Sequence, residues 1–106
     1  MILLDECKLI SNIFKSLSHP VRLRIIKLLN VKKLSVLEIS EKLQTSQSSI
    51  SQHLKILEES GIISKEKKGN IVFCKLKHTL VLELLSDVKR IISQELKEAN
   101  NIIKKA

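Results

Sequence analysis

Glycine, proline and aromatic residues are scarce in this chain, whose 106 residues hold 2 Gly, 1 Pro, 2 Phe and neither Trp nor Tyr. Two glycines are too few to shape the Gly-rich loops that cradle nucleotide phosphates. Cysteine is equally sparse. Cys7 and Cys74 lie far apart and fit neither a disulfide framework nor a C-x-x-C metal knuckle, so the plain reading of each is a small buried hydrophobe. No apolar run exceeds four residues, which leaves no segment able to span a bilayer, and Met1 to Leu4, followed at once by acid, is too short for a secretory signal. A cytoplasmic protein without a membrane partner is expected. The 3 His are scattered, and no Ser/His/Asp set or carboxylate pair accompanies them, so neither catalysis nor a cofactor is expected.

What the chain does have is balanced for folding and biased in charge. With 43% hydrophobic and 28% charged residues, it reads as one globular domain, 1–106, whose core is small enough to gain from pairing with a second copy. Lys and Arg number 19 against 11 Asp and Glu, a formal charge of +8. That balance favours a polyanionic partner.

The most informative stretch is SQSSISQHLKILEES, Ser46 to Ser60, followed by Gly61. Ile50, Leu54 and Leu57 recur at steps of four and three, forming one apolar stripe on a helix. Ser46 suits the N-cap and Gly61 the left-handed residue that closes the helix. At about 100° per residue, Ser48, Gln52 and Lys55 fall opposite the stripe, with Ser49 and Ser51 on its flanks and Gln47 near the helix start. Amides and hydroxyls bond base edges and cations bond phosphates, so this face suits the DNA major groove. An ordinary amphipathic surface helix is the alternative. His53, about 70° from the stripe centre, is a boundary residue that suits a local hydrogen bond as well as a DNA contact.

Taken in order, Leu3, Cys7, Ile10, Phe14 and Leu17 make a seam suited to packing on another helix. That first helix should end near Ser18, because Pro20 disfavours helical angles at His19 and itself starts helices well. A second helix is predicted from Pro20 to Leu29, with Val21, Ile25, Leu28 and Leu29 inward and Arg22, Arg24 and Lys27 turned elsewhere, toward phosphate or merely toward solvent. A basic connector follows. Ser35 and Glu38 form a capping-box pattern opening a third helix to about Gln44, with Val36, Ile39 and Leu43 buried. Only a tight turn separates it from the Ser46 helix, as in a helix-turn-helix whose second member reads the groove. Beyond Gly61 the pattern changes to two β-prone runs around Gly69-Asn70, a hairpin with Val72, Cys74 and Leu76 on one face. Its cations, Lys65, Lys67, Lys68 and Lys75, suit either DNA phosphates or protection of strand edges. From about Thr79 the chain is helical to near its end. Leu85, Val88, Ile92, Leu96, Ala99 and Ile103, widened by Leu84 and Ile91, are more apolar surface than a terminal helix needs, which points to a symmetric dimer through the first and last helices.

The expected fold is therefore mainly α with a small β-hairpin, α-α-α-α-β-β-α, a winged helix-turn-helix. LSHPVRLRIIKLL (Leu17 to Leu29), SVLEISEKL (Ser35 to Leu43), SQSSISQHLKILEESGII (Ser46 to Ile63) and KKGNIVFCKL (Lys67 to Leu76) closely resemble the ArsR/SmtB family of repressors. The resemblance implies a homodimer that binds double-stranded DNA at a palindromic operator and is released by an inducer. It places Ser46, Gln47, Ser49, Gln52 and His53 in the family's recognition-helix signature and Lys68, Gly69 and Asn70 at its wing tip. It also marks His19 as structural, at the bend between the first two helices. The alternative function is a winged-helix protein interaction module that no longer binds DNA.

The family's usual metal positions are not filled. Leu34 to Glu38 holds no cysteine, and Ile91 and Gln94 stand where ligands are expected on the last helix, so zinc or nickel sensing there is not expected. Cys7 and Cys74, approaching across a dimer as a redox or thiophilic-metal pair, are the remaining sensor candidates, set against two buried structural thiols. The inducer is not named by the sequence.

Overall fold

A computed structural model describes residues 5–105. Helix α1 (Glu6–Leu17) is capped by Asp5, whose carboxylate accepts the Lys8 N–H at 3.2 Å; Leu3, placed on its seam by the sequence, lies outside the described residues. Pro20 is the first residue of α2 (Pro20–Val31), and His19 is its N-cap, its Nδ1 accepting the Val21 N–H at 3.1 Å. The bend residue is thus structural, as the resemblance implied. The second helix runs two residues beyond the expected Leu29, and Lys32 then turns extended.

That extension leads into strand β1 (Leu34–Ser35), which the sequence reading missed. Ser35 doubles as N-cap of α3 (Val36–Leu43), with the reciprocal Ser35–Glu38 capping box formed. The backbone and side-chain donors of Ser35 hold the Glu38 carboxyl below its usual range. The recognition-type helix α4 (Gln47–Glu59) follows after the turn Gln44 to Ser46. Strands β2 (Ile63–Lys68) and β3 (Ile71–Leu76) form the hairpin, in register from Ile63 opposite Leu76 to Lys68 opposite Ile71. Gly69 supplies the positive φ of +61° at the first position of its two-residue turn. The sheet order is β1-β3-β2, Leu34 facing Cys74 and Ser35 facing Phe73. The element order is therefore the expected one with a third, short strand added.

One core joins these pieces. Ile25 and Ile26 of α2, Leu34, Ile39, the α4 stripe Ile50, Leu54 and Leu57, and Ile63 and Cys74 of the sheet are almost wholly buried. Fully burying side chains of this size is worth about 1.5–3 kcal/mol each. Val36 and Leu43 pack half-buried against them. The last helix, α5 (Leu80–Lys105), contributes Val81, backed by Leu82, Leu84 and Leu85. From Ser86 to Ile102 every side chain of α5 is exposed.

Helices α3 and α4 end in the same motif. At α4, Gly61 at φ +82° donates its N–H to the Glu58 carbonyl while Ile62 donates to Leu57, the paired bonds of a Schellman cap with the apolar Leu57–Ile62 contact beside it. At α3, Gln44 donates to Glu41 and Thr45 to Ser40, but Gln44 carries a side chain at φ +50°. A Cβ placed on Gly61 would meet no atom within 4 Å, so only the backbone angle opposes a substitution there. Gly61→Ala should cost about 1 kcal/mol, whereas Gln44→Gly should gain about 0.5–1 kcal/mol. Urea denaturation followed by far-ultraviolet circular dichroism measures both.

Candidate nucleic-acid interface

With Ile50, Leu54 and Leu57 turned inward, α4 leaves Gln47, Ser48, Ser51, Gln52 and Lys55 exposed on its other side. Ser49 is half-buried, and Ser46 is spent locally, its Oγ accepting the Ser49 N–H at 3.1 Å. The exposed strip is rich in groups that both donate and accept, as hydroxyls and amides do. It bears a single charge, Lys55.

The wing divides its cations between two tasks. Lys65 is half-buried and pairs with Glu58 of α4 at 3.3 Å, so it ties the hairpin to α4. Lys67, Lys68 and Asn70 stand exposed at the tip. Lys68 lies 3.7 Å from Glu66, an exposed pair worth little by itself. Lys33 reaches over the Phe73 ring at 5.5 Å, and the neighbouring Lys68, followed by Lys75, holds its ammonium below the usual lysine range.

His53 faces inward rather than out. Its Nδ1 lies 3.2 Å from Nη1 of Arg22, and since a guanidinium only donates, Nδ1 is the acceptor and the ring is neutral. Its ring stacks on that of His19, centroids 4.4 Å apart and tilted by 46°. Partial burial, then His19 and Arg22, push the imidazole below its ordinary value. Arg22 also donates through Nε to the Ser16 carbonyl at 2.6 Å and through Nη2 to the Lys15 carbonyl at 3.2 Å. Sequence reasoning offered Arg22 only phosphate or solvent. Its partners sit six, seven and thirty-one residues away, beyond the reach of local periodicity.

The cysteines occupy dissimilar places. Cys7 is exposed on α1, while Cys74 is wholly buried in β3, where desolvation pushes its thiol up to about 11. A thiol so held stays protonated at neutral pH, and the thiolate is the form that reacts or binds metal. Among the described residues no group of three or more His, Cys, Asp or Glu stands ready for a metal ion.

Residues 19–65, from the His19 cap to the first wing lysine, match the model of the family described as "Bacterial regulatory protein, arsR family". The transcriptional repressor SdpR of Bacillus subtilis is 33% identical over 72% of this chain and 84% of its own. The chain belongs to the arsR family. The crystal structure of Mycobacterium tuberculosis Rv0081 superposes with a TM-score of 0.79 at 28% identity, over 91% of this chain and 97% of that one. HlyU from Vibrio cholerae gives 0.72 at 30% identity, over 84% and 97%. This arsR-family chain is a winged helix-turn-helix transcription regulator of the DNA-binding type, as its sequence motifs led us to expect.

The depressed imidazole has a consequence for stability. Because the fold favours neutral His53, that contribution is present above the ordinary histidine value of about 6.5 and is lost as pH falls through the lowered folded value, where the unfolded chain binds the extra proton first. Chemical denaturation between pH 8 and pH 5 should show falling stability in the native protein and a flatter profile in His53→Asn.

Proposed function

We propose that this chain is a homodimeric repressor that places its two α4 helices in successive major grooves of a palindromic operator, about 34 Å apart, with the wing tips on the flanking backbone. The observation that carries the reading is the exposed strip of Gln47, Ser48, Ser51 and Gln52 on α4, beside Lys55 and the exposed lysines of the wing tip. Gln52 has the amide to bond an adenine edge, and the serine hydroxyls bond either purine or pyrimidine edges. Lys55, Lys67 and Lys68, with Asn70 at the turn, supply phosphate contacts that set register without reading sequence. His53 and Lys65, engaged within the fold, hold the reading surface in place, and Ser46 and Ser49 shape the start of its helix.

Dimerisation follows from the faces left open. Ile10 and Phe14 on α1 are 47% and 51% exposed, and Ile91, Ile92 and Leu96 on α5 are 66%, 54% and 62% exposed. A domain of this size gains core by pairing such faces. Repression, rather than activation, is the sign named for SdpR, whereas HlyU of Vibrio cholerae is named an activator. The reading is of a binding protein without catalysis, acting on DNA in the cytoplasm.

Binding should be measured against the protein's own promoter across salt concentrations. Gln52→Ala with Ser48→Ala should lower operator affinity by about 1–3 kcal/mol per lost base contact and leave random-DNA affinity in place. Lys67→Ala with Lys68→Ala should weaken all DNA and flatten the salt slope by about 2. Affinity that ignores both salt and Gln52 sinks the proposal and favours a protein-interaction module. Ile92→Asp should leave a monomer by analytical ultracentrifugation, and that monomer should not hold the palindrome.

A further inference from the structure

One side chain joins the helix assigned above to dimerisation with the helix assigned to reading DNA. Arg22 sits half-buried near the start of α2 and spends its planar guanidinium on three acceptors. Nε and Nη2 bond the Ser16 and Lys15 carbonyls in the last turn of α1, and Nη1 bonds His53 Nδ1 on α4. The last carbonyls of a helix have no partner within it, and a cation there also meets the negative end of the helix dipole. Ser16 is itself buried and anchored, its Oγ donating to the Ile13 carbonyl at 2.7 Å. The third bond therefore links a fixed end of α1 to the middle of α4.

We propose that Arg22 is a positioning residue for operator binding: acting through His53, it fixes α4 relative to α1 and thereby sets the separation of the two α4 helices in the dimer. The inference rests on the dimeric, operator-binding reading above. Apolar burial is non-directional and decides only which edge of α4 turns inward, whereas three hydrogen bonds from one rigid fork add a defined distance and angle. The α1 face that carries Ile10 and Phe14 and the α4 strip that carries Gln52 are then held as one rigid body. Their spacing across a two-fold axis follows from that geometry.

Proton uptake at His53 opposes the arrangement. It removes the lone pair that Arg22 uses and sets a second cation beside the guanidinium. The charged and titratable groups around this point are His19, the N-cap of α2, and Arg22 of α2, with Lys15 of α1 and Glu59 of α4 lining the adjoining cleft. Acid also strengthens binding to any DNA by adding positive charge, so the informative quantity is operator affinity divided by random-DNA affinity.

The experiment is fluorescence anisotropy with labelled operator, the same operator with one base pair inserted at its centre, and random DNA, from pH 8 to pH 5.5. The wild-type protein should prefer the native spacing and lose that preference as pH falls. Arg22→Lys keeps the charge but cannot bridge three acceptors; it should lower operator affinity about tenfold, as expected for one lost bond to a charged donor, and bind both spacings within about threefold. His53→Leu should do the same, while His53→Asn, whose Oδ1 stands where Nδ1 stood, should restore the spacing preference and make it independent of pH. Circular dichroism and sedimentation of each variant establish that it is folded and dimeric. Unchanged spacing preference and pH profile in folded Arg22→Lys overturn the positioning role and leave the operator reading standing; so does an equal loss on operator and random DNA. If Arg22→Lys does not fold, His53→Leu and His53→Asn decide the matter, and identical behaviour of the two overturns the proposal. Wild-type protein that binds no palindrome overturns both readings together.

Discussion

Everything outward-facing in this protein depends on how deeply one stripe of α4 is buried. Ile50, Leu54 and Leu57 show no exposed surface, and they reach α2, α3 and the sheet at once through a shared core. A helix of thirteen residues with one apolar edge so committed keeps that edge turned inward. Its opposite edge must face water, and the composition there, hydroxyls and amides with one lysine, follows as a separate choice. Both ends are closed by local bonds, Ser46 at the start and the Gly61 cap at the end, so the length of the exposed strip is fixed as well as its direction.

Charge is distributed around this axis unequally. The formal excess of +8 does not by itself distinguish a wing that binds polyanions from one that merely resists aggregation. Distribution does. One hairpin lysine, Lys65, is neutralised by Glu58 and serves the fold, whereas Lys33, Lys68 and Lys75 crowd one another enough to disfavour the protonated state of Lys33. Like charges gathered beside a short hairpin repel one another in the free protein, and on the proposed reading a phosphate backbone would relieve that repulsion as it displaces its own counterions. The same crowding around a neutral partner has no such compensation.

Much of this was legible in the chain because the relevant forces are local. Apolar residues at steps of three and four located the helices, Ser35 with Glu38 and Ser46 announced two helix starts, and Gly61 and Gly69 marked the places where positive φ was required. Strand β1 was not legible. Its two residues carry no periodicity and become a strand only because β3 lies alongside them with Cys74 and Phe73 in register. Ile26 was likewise passed over, since burial on both sides of α2 needs the assembled core. The histidine and arginine cluster failed for the same reason: His19, Arg22 and His53 are ordinary polar residues until the fold brings an acceptor to each donor. Of the expected DNA contacts, the exposed strip needed only a helical wheel, but the diversion of His53 and Lys65 into structural bonds needed the neighbouring helix and strand.

The long α5 raises a question that its own sequence answers. Its first turns are held by Val81, Leu82, Leu84 and Leu85 against the core, yet it continues to Lys105 with Val88, Ile91, Ile92 and Leu96 facing water. Most helical stability in proteins comes from packing an apolar face rather than from propensity. The ion pair along it among the described residues, Arg90 with Asp87, is exposed and contributes little. On the proposed reading, a second copy of the same face, related by a two-fold axis, would supply the missing packing with no new sequence requirement, because the seam on α1 and the seam on α5 would each be satisfied by repetition. In such a dimer, folding of the distal half of α5 would be coupled to association, and the proposed half-site spacing would share that coupling. Stability and operator affinity then rise together with protomer concentration, as linkage requires of any partner that binds the folded state alone.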